Sequence, residues 1–209
     1  MKSLILIAIT LLLFSCTDSS TTNNQPVHKR VGVSDSNRVA NETTNPYSPV
    51  DISPMDMTYF PEDYPVEKMT GKTNKLPYAR VIYSRPHRQG RKIFGGLLKY
   101  GEPWRLGANE ATEIELFQPA TIQNKRINKG RYILYCIPQE RKWTIIFNSN
   151  LFTWGLKPDP SKDLFKFDIP VNTSINTLEY FTMEFQKDVG GANLLMAWEN
   201  EVARLPFQF

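Results

Sequence analysis

Between Arg80 and Trp198 the chain repeatedly alternates apolar and polar side chains. Val81 and Tyr83 alternate with Arg80 and Ser84, and Ile114 and Leu116 with Glu113 and Glu115. Phe181, Met183 and Phe185 are interleaved with Tyr180, Thr182 and Glu184. Successive side chains of an extended strand point to opposite faces, so each stretch predicts a strand with one buried face. Ile133 to Ile137, Ile145 to Phe147 and Leu194 to Trp198 are apolar at nearly every position, which predicts central strands. Turn-forming residues separate these runs: Asn128, Lys129 and Gly130, then Pro138 to Lys142, then Gly190 and Gly191. No amphipathic helix of more than about two turns interrupts them. Roughly eight short antiparallel strands with tight connections predict an all-β fold, a single antiparallel β-sandwich, with a jelly roll as the nearest variant.

Different patterns precede this domain. After Met1, Lys2 and Ser3, the run Leu4 to Phe14 is broken only by Ala8 and Thr10. A basic start and a short apolar core predict a secretory signal over residues 1–15, too brief to span a bilayer permanently. Leu13, Phe14, Ser15, Cys16 resembles a lipobox, in which the cysteine thiol takes a diacylglycerol and the chain is cut before it. That resemblance implies a bacterial cell-envelope lipoprotein, periplasmic or outer-membrane-associated, whose membrane partner is reached through the lipid on Cys16. Residues 16–46 then read as a tether. Ser, Thr, Asn or Gln fill 15 of the 30 positions from 17 to 46, and no aromatic residue occurs there. Such a segment buries too little surface to offset its ordering entropy, and as a coil it spans about 30 Å. From Tyr47 aromatics and prolines arrive together, as in Tyr59, Phe60, Pro61, Tyr64 and Pro65, predicting an extended, wrapping segment more than a helix. Residues 47–209 fit one domain.

Composition narrows the chemistry. The formal net charge is +4, or +3 once Lys2 leaves with the signal, too little to imply a nucleic-acid partner. With Cys16 acylated, Cys136 has no disulfide partner, and its apolar neighbours predict a small buried hydrophobe. His28 lies in the tether, leaving His87 as the domain's one histidine, a poor basis for a zinc site or a serine triad. No His-Glu-x-x-His helix, Gly-x-Ser-x-Gly elbow or phosphate-binding loop is present. No metal, cofactor or catalytic residue is therefore assigned. A carboxylate-based hydrolase stays as an alternative through Glu110, Glu113 and Glu115, although alternation sends the last two to the solvent face.

Residues 85–105 break the strand pattern. They hold six Lys or Arg against Glu102 alone, a local charge of +5, while the tether is neutral and the rest of the domain carries −2. A long ordered loop inside a compact domain is often functional, and its glycines let backbone amides approach a ligand. Arg85, Arg91, Trp104, Arg105, Asn109 and Glu110 are the candidate ligand residues, suited by arginine forks and an indole to an anionic or carbohydrate ligand. The alternative is structural: arginines paired with carboxylates, Arg105 with Glu110 for example, in a purely structural envelope protein. Oligomeric state is left open.

Tyr83, Ser84, Arg85, Pro86, then Gly90, Arg91, Ile93, Phe94, Gly95, then Tyr100, Gly101, Trp104, Arg105, and Gly107 to Thr112 resemble the signature block of the bacterial family known as domain of unknown function 2911. The similarity continues through Gly130 to Tyr132, Trp143 to Ile146, Trp154, Gly155, Ala197 and Trp198, with Lys99 where a proline is expected. The resemblance implies exported-protein company and supplies no catalytic residue.

Overall fold

The structure, a computed structural model, describes residues 53–209. The signal, Cys16 and the tether lie outside the described residues. The chain forms β1 (Met55–Phe60), α1 (Tyr64–Met69), β2 (Ala79–Ser84), β3 (Thr112–Leu116), β4 (Ala120–Ile122), β5 (Lys125–Ile127), β6 (Gly130–Pro138), β7 (Lys142–Asn148), β8 (Asp163–Asp188) and β9 (Gly191–Gln208). The nine strands make one antiparallel sheet in the order β1-β2-β3-β6-β7-β8-β9-β4-β5.

This single sheet folds over into two layers because β8 belongs to both. Its first part, Asp163 to Pro170, pairs with β7, and its remainder, Val171 to Asp188, pairs with β9. The register shifts on either side of Leu178, where the strand bends. β9 bends to match at Glu199, whose φ of 52° lies in the left-handed region. The two ends of β9 return so close together that a Cβ on Gly191 would collide with the Phe207 carbonyl. Facing layers then share one core, in which Tyr83 of β2 meets Phe181 of β8 at 5.7 Å edge to face and its hydroxyl donates to the Met183 carbonyl.

The predicted alternation matches the burial. Ile114 is buried between Glu113 and Glu115, and Phe181, Met183 and Phe185 are buried while Tyr180 and Glu184 are exposed. Cys136 on β6 is fully buried and unpaired, and that burial pushes its thiol pKa up. Two elements differ from the expectation. The proline-rich start yields edge strand β1 and the short helix α1, whose Pro65 sits in the first turn, where a missing N–H costs nothing. The β4–β5 hairpin turns through Gln123 and Asn124, both at positive φ as a two-residue hairpin requires.

Candidate functional site

The basic segment 85–105 leaves the sheet at the end of β2 and returns to it alongside β6, just beyond the start of β3. There Trp104 pairs with Cys136 of β6 through two backbone hydrogen bonds of 2.7 Å. Trp104 lies 5.9 Å from Trp198 in a stacked arrangement, 4.9 Å from Phe181 and 5.8 Å from Trp143. All three tryptophans are buried, and each indole N–H has an acceptor: the Gly107 carbonyl, the Glu179 carbonyl and the Glu201 carboxylate for Trp104, Trp198 and Trp143 respectively. A buried indole loses its hydration, so these acceptors are what make the cluster possible.

Carboxylates of β8 and β9 hold the loop down. Glu199 Oε2 accepts from the amides of Ile93 at 3.1 Å and Phe94 at 3.4 Å, while its Oε1 faces Arg88 at 3.4 Å. Glu179 accepts from the Gln89 amide, and Glu201 from the Tyr100 hydroxyl. Burial raises the Glu201 carboxyl pKa, opposed by its bonds from Trp143 and Tyr100, and Tyr100 is itself pushed up to about 12. The Gly95 and Gly96 amides bond within the loop, to the Leu98 and Ile93 carbonyls. The amides expected to meet a ligand are thus engaged by the protein itself.

The arginines separate into two groups. Arg85 is scaffold: it pairs with Asp56 at 3.0 Å, donates to the Phe181 carbonyl and Thr182 hydroxyl, and so links β1 to β8. Arg88 is paired as described. Arg91 donates to the Arg88 carbonyl at 2.9 Å and to the His87 carbonyl, and Arg105 to the Trp154 carbonyl at 3.3 Å. Neither forms an ion pair among the described residues. The pairing of Arg105 with Glu110 does not occur. Partial burial lowers the Arg105 pKa, with no carboxylate to oppose the effect.

Arg91 and Arg105 both line a cavity of about 370 Å³, whose wall also includes Ser53, Pro86, Trp104, Gly155 and Trp198. Among the described residues, no carboxylate contributes to its wall. Of the six candidate residues, the structure brings Arg91, Trp104 and Arg105 together here. Asn109 instead donates to the Ser53 carbonyl, and Glu110 lines a neighbouring cavity of about 270 Å³ with Glu113, Arg131, Phe152 and Trp154. The segment 152–156 runs past both. Gly155 can approach so closely only as glycine: its φ is +75°, and a Cβ would lie 2.8 Å from Ala111 Cβ and 3.1 Å from Arg105 Cβ.

Backbone strain concentrates around these cavities. Five of the seven non-glycine residues at positive φ among those described are Gln89, Leu106, Asn109, Phe152 and Glu199. Each such conformation costs roughly 1–3 kcal/mol and persists where surrounding contacts over-determine it. Leu106 shows how: its side chain is fully buried and its carbonyl accepts from Thr112 Oγ1 at 2.6 Å. Trp154, Phe152 and Gly155 are the participants that charge and loop length did not single out. Trp154 and Gly155 did stand among the positions of the family resemblance.

Fold and cavities together define a β-sandwich domain with two adjoining surface pockets, one lined by cations and one containing two carboxylates. The chain belongs to the family described as protein of unknown function DUF2911, whose model matches residues 65–207. No curated protein and no solved structure matches it.

The Glu199 contact generates a prediction. Glu199→Ala strands two buried amide donors, and unfolding in urea should register a loss of roughly 1–3 kcal/mol. Amide exchange should accelerate at Ile93 and Phe94 while the β6 amides stay protected. Unchanged exchange at those two positions would show that the carboxylate is not what holds the loop.

Proposed function

We propose that this domain is a ligand-binding module of the bacterial cell envelope, held to a membrane by a lipid on Cys16. Its ligand carries a carboxylate, a phosphate or closely spaced hydroxyls and occupies the pocket between Arg91 and Arg105. The observation that carries the reading is the placement of Arg91 and Arg105 on one cavity, where among the described residues neither has a carboxylate partner and no acid lines the wall. A guanidinium fork offers paired, directional donors to an anion. The buried indoles of Trp104 and Trp198 supply an apolar floor for the remainder of the ligand. Arg85, by contrast, serves stability through Asp56.

The reading separates binding from folding at Arg105. Arg105→Ala should leave the thermal midpoint nearly unchanged but abolish the rise produced in the wild type by a binding member of a panel of envelope glycans, nucleotides and organic anions. Arg105→Lys should not restore that rise, because a lysine cannot reproduce the fork. A large loss of stability in Arg105→Ala, with no panel member raising the wild-type midpoint, would make the segment scaffold. Anchoring has its own test: Cys16→Ala should move the protein from the membrane fraction to the soluble fraction, and unchanged fractionation would exclude the lipid.

A further inference from the structure

Three of the four tryptophans are buried with their indole N–H groups bonded, whereas Trp154 is 55% exposed and its indole has no bonding partner among the described residues. Two positions earlier Phe152 is 88% exposed and held at a φ of 59°, a left-handed conformation that bulky side chains rarely adopt. Both rings line the cavity of about 270 Å³. Of these two exposed rings Phe152 is met by the Arg131 guanidinium, whereas the face of Trp154 has no partner among the described residues and is open to an occupant.

The charges around that cavity identify its chemistry. Glu113 is taken by Arg131 through two contacts of 2.6 and 2.8 Å, which leaves that pair neutral. Glu110, on the same wall, has no hydrogen bond or ion pair among the described residues. The cavity therefore carries one uncompensated negative charge beside two aromatic rings. One of those rings already receives a cation, since the Arg131 guanidinium lies 5.3 Å from the Phe152 centroid. Ring quadrupoles attract positive charge to their faces, and tryptophan does so most strongly.

We propose that the pocket formed by Glu110, Phe152 and Trp154 is a binding site for an organic ammonium group, distinct from the arginine-lined pocket on the other side of segment 152–156. The ammonium rests against the exposed face of Trp154 and is neutralised by the Glu110 carboxylate. An anion is repelled by the same carboxylate. A neutral sugar could stack on the indole, but its binding would not respond to the charge of Glu110.

Choline is the probe, and the readout is the indole N–H resonance of Trp154 in proton–nitrogen correlation spectra of the whole protein, assigned by its loss in Trp154→Phe. Choline should displace this resonance saturably, with an affinity that falls as salt is added. Glu110→Gln, at an exposed position that leaves folding intact, should weaken the effect by roughly tenfold, as loss of one charge-assisted contact implies. The neutral carbon isostere of choline, with a quaternary carbon in place of the nitrogen, should be bound far less well. Equal responses to choline and its isostere, a stronger response to glucose, or an unaltered affinity in Glu110→Gln would each overturn the proposal. So would the absence of any displacement beyond that caused by matched sodium chloride. Because the site does not use Arg91 or Arg105, failure here leaves the anion pocket untouched, and failure there leaves this site standing.

Discussion

The carboxylate of Glu199 bonded to the consecutive amides of Ile93 and Phe94 is the contact on which the candidate site depends. A long basic loop has a large conformational entropy to lose and repels itself, so it needs internal anions to become ordered. Glu199 supplies one at the bend of β9, and Glu179 and Glu201 add acceptors on either side of it. These carboxylates engage Arg88, backbone amides and the Tyr100 hydroxyl, and among the described residues they leave Arg91 and Arg105 without anionic partners. An ordered loop and an unpaired pair of cations are thus two results of one arrangement.

The tryptophan cluster makes that arrangement durable. Trp104 ties the end of the loop to β6 through backbone pairing with Cys136, and its ring packs between residues of both layers. Burying aromatic surface of this size stabilises strongly, and it offsets the strained conformations of neighbouring residues such as Leu106. The same cluster forms the floor of the arginine pocket. Stability and the shape of the cavity consequently rest on shared side chains, whereas the positive charge of the cavity comes from Arg91 and Arg105, whose hydrogen bonds among the described residues go to backbone carbonyls.

The strands were legible in the sequence wherever one face is buried, because a period of two leaves a direct trace in β2, β3 and the second part of β8. The β4–β5 hairpin was not, since three-residue strands are too short for a period to register. The helix α1 was hidden by its proline, which reads as a breaker unless the first turn is already known. In the site, the local excess of positive charge marked the segment that lines the cavity with Arg91 and Arg105, but did not show which arginines pair with carboxylates. Arg85 and Arg105 look alike in sequence. They differ through Asp56, which pairing of β1 with β2 delivers to Arg85, and through the β8 acceptors at Phe181 and Thr182 that Arg85 also reaches. Trp104 and Trp154 are likewise told apart by three-dimensional packing: one is sealed beneath the other layer, the other is carried outward on a loop.

Arg91 and Arg105 line one cavity and, among the described residues, form no ion pair, which makes that cavity the proposed anion site. Crystals grown with bromide test it most directly, because bromide scatters anomalously and can be located without prior assumptions about the ligand. An anomalous peak is expected in the cavity within contact of the Arg91 or Arg105 guanidinium, and none beside Arg85 or Arg88. Bromide distributed over surface lysines with that cavity empty, or either arginine found paired with a carboxylate, would contradict it.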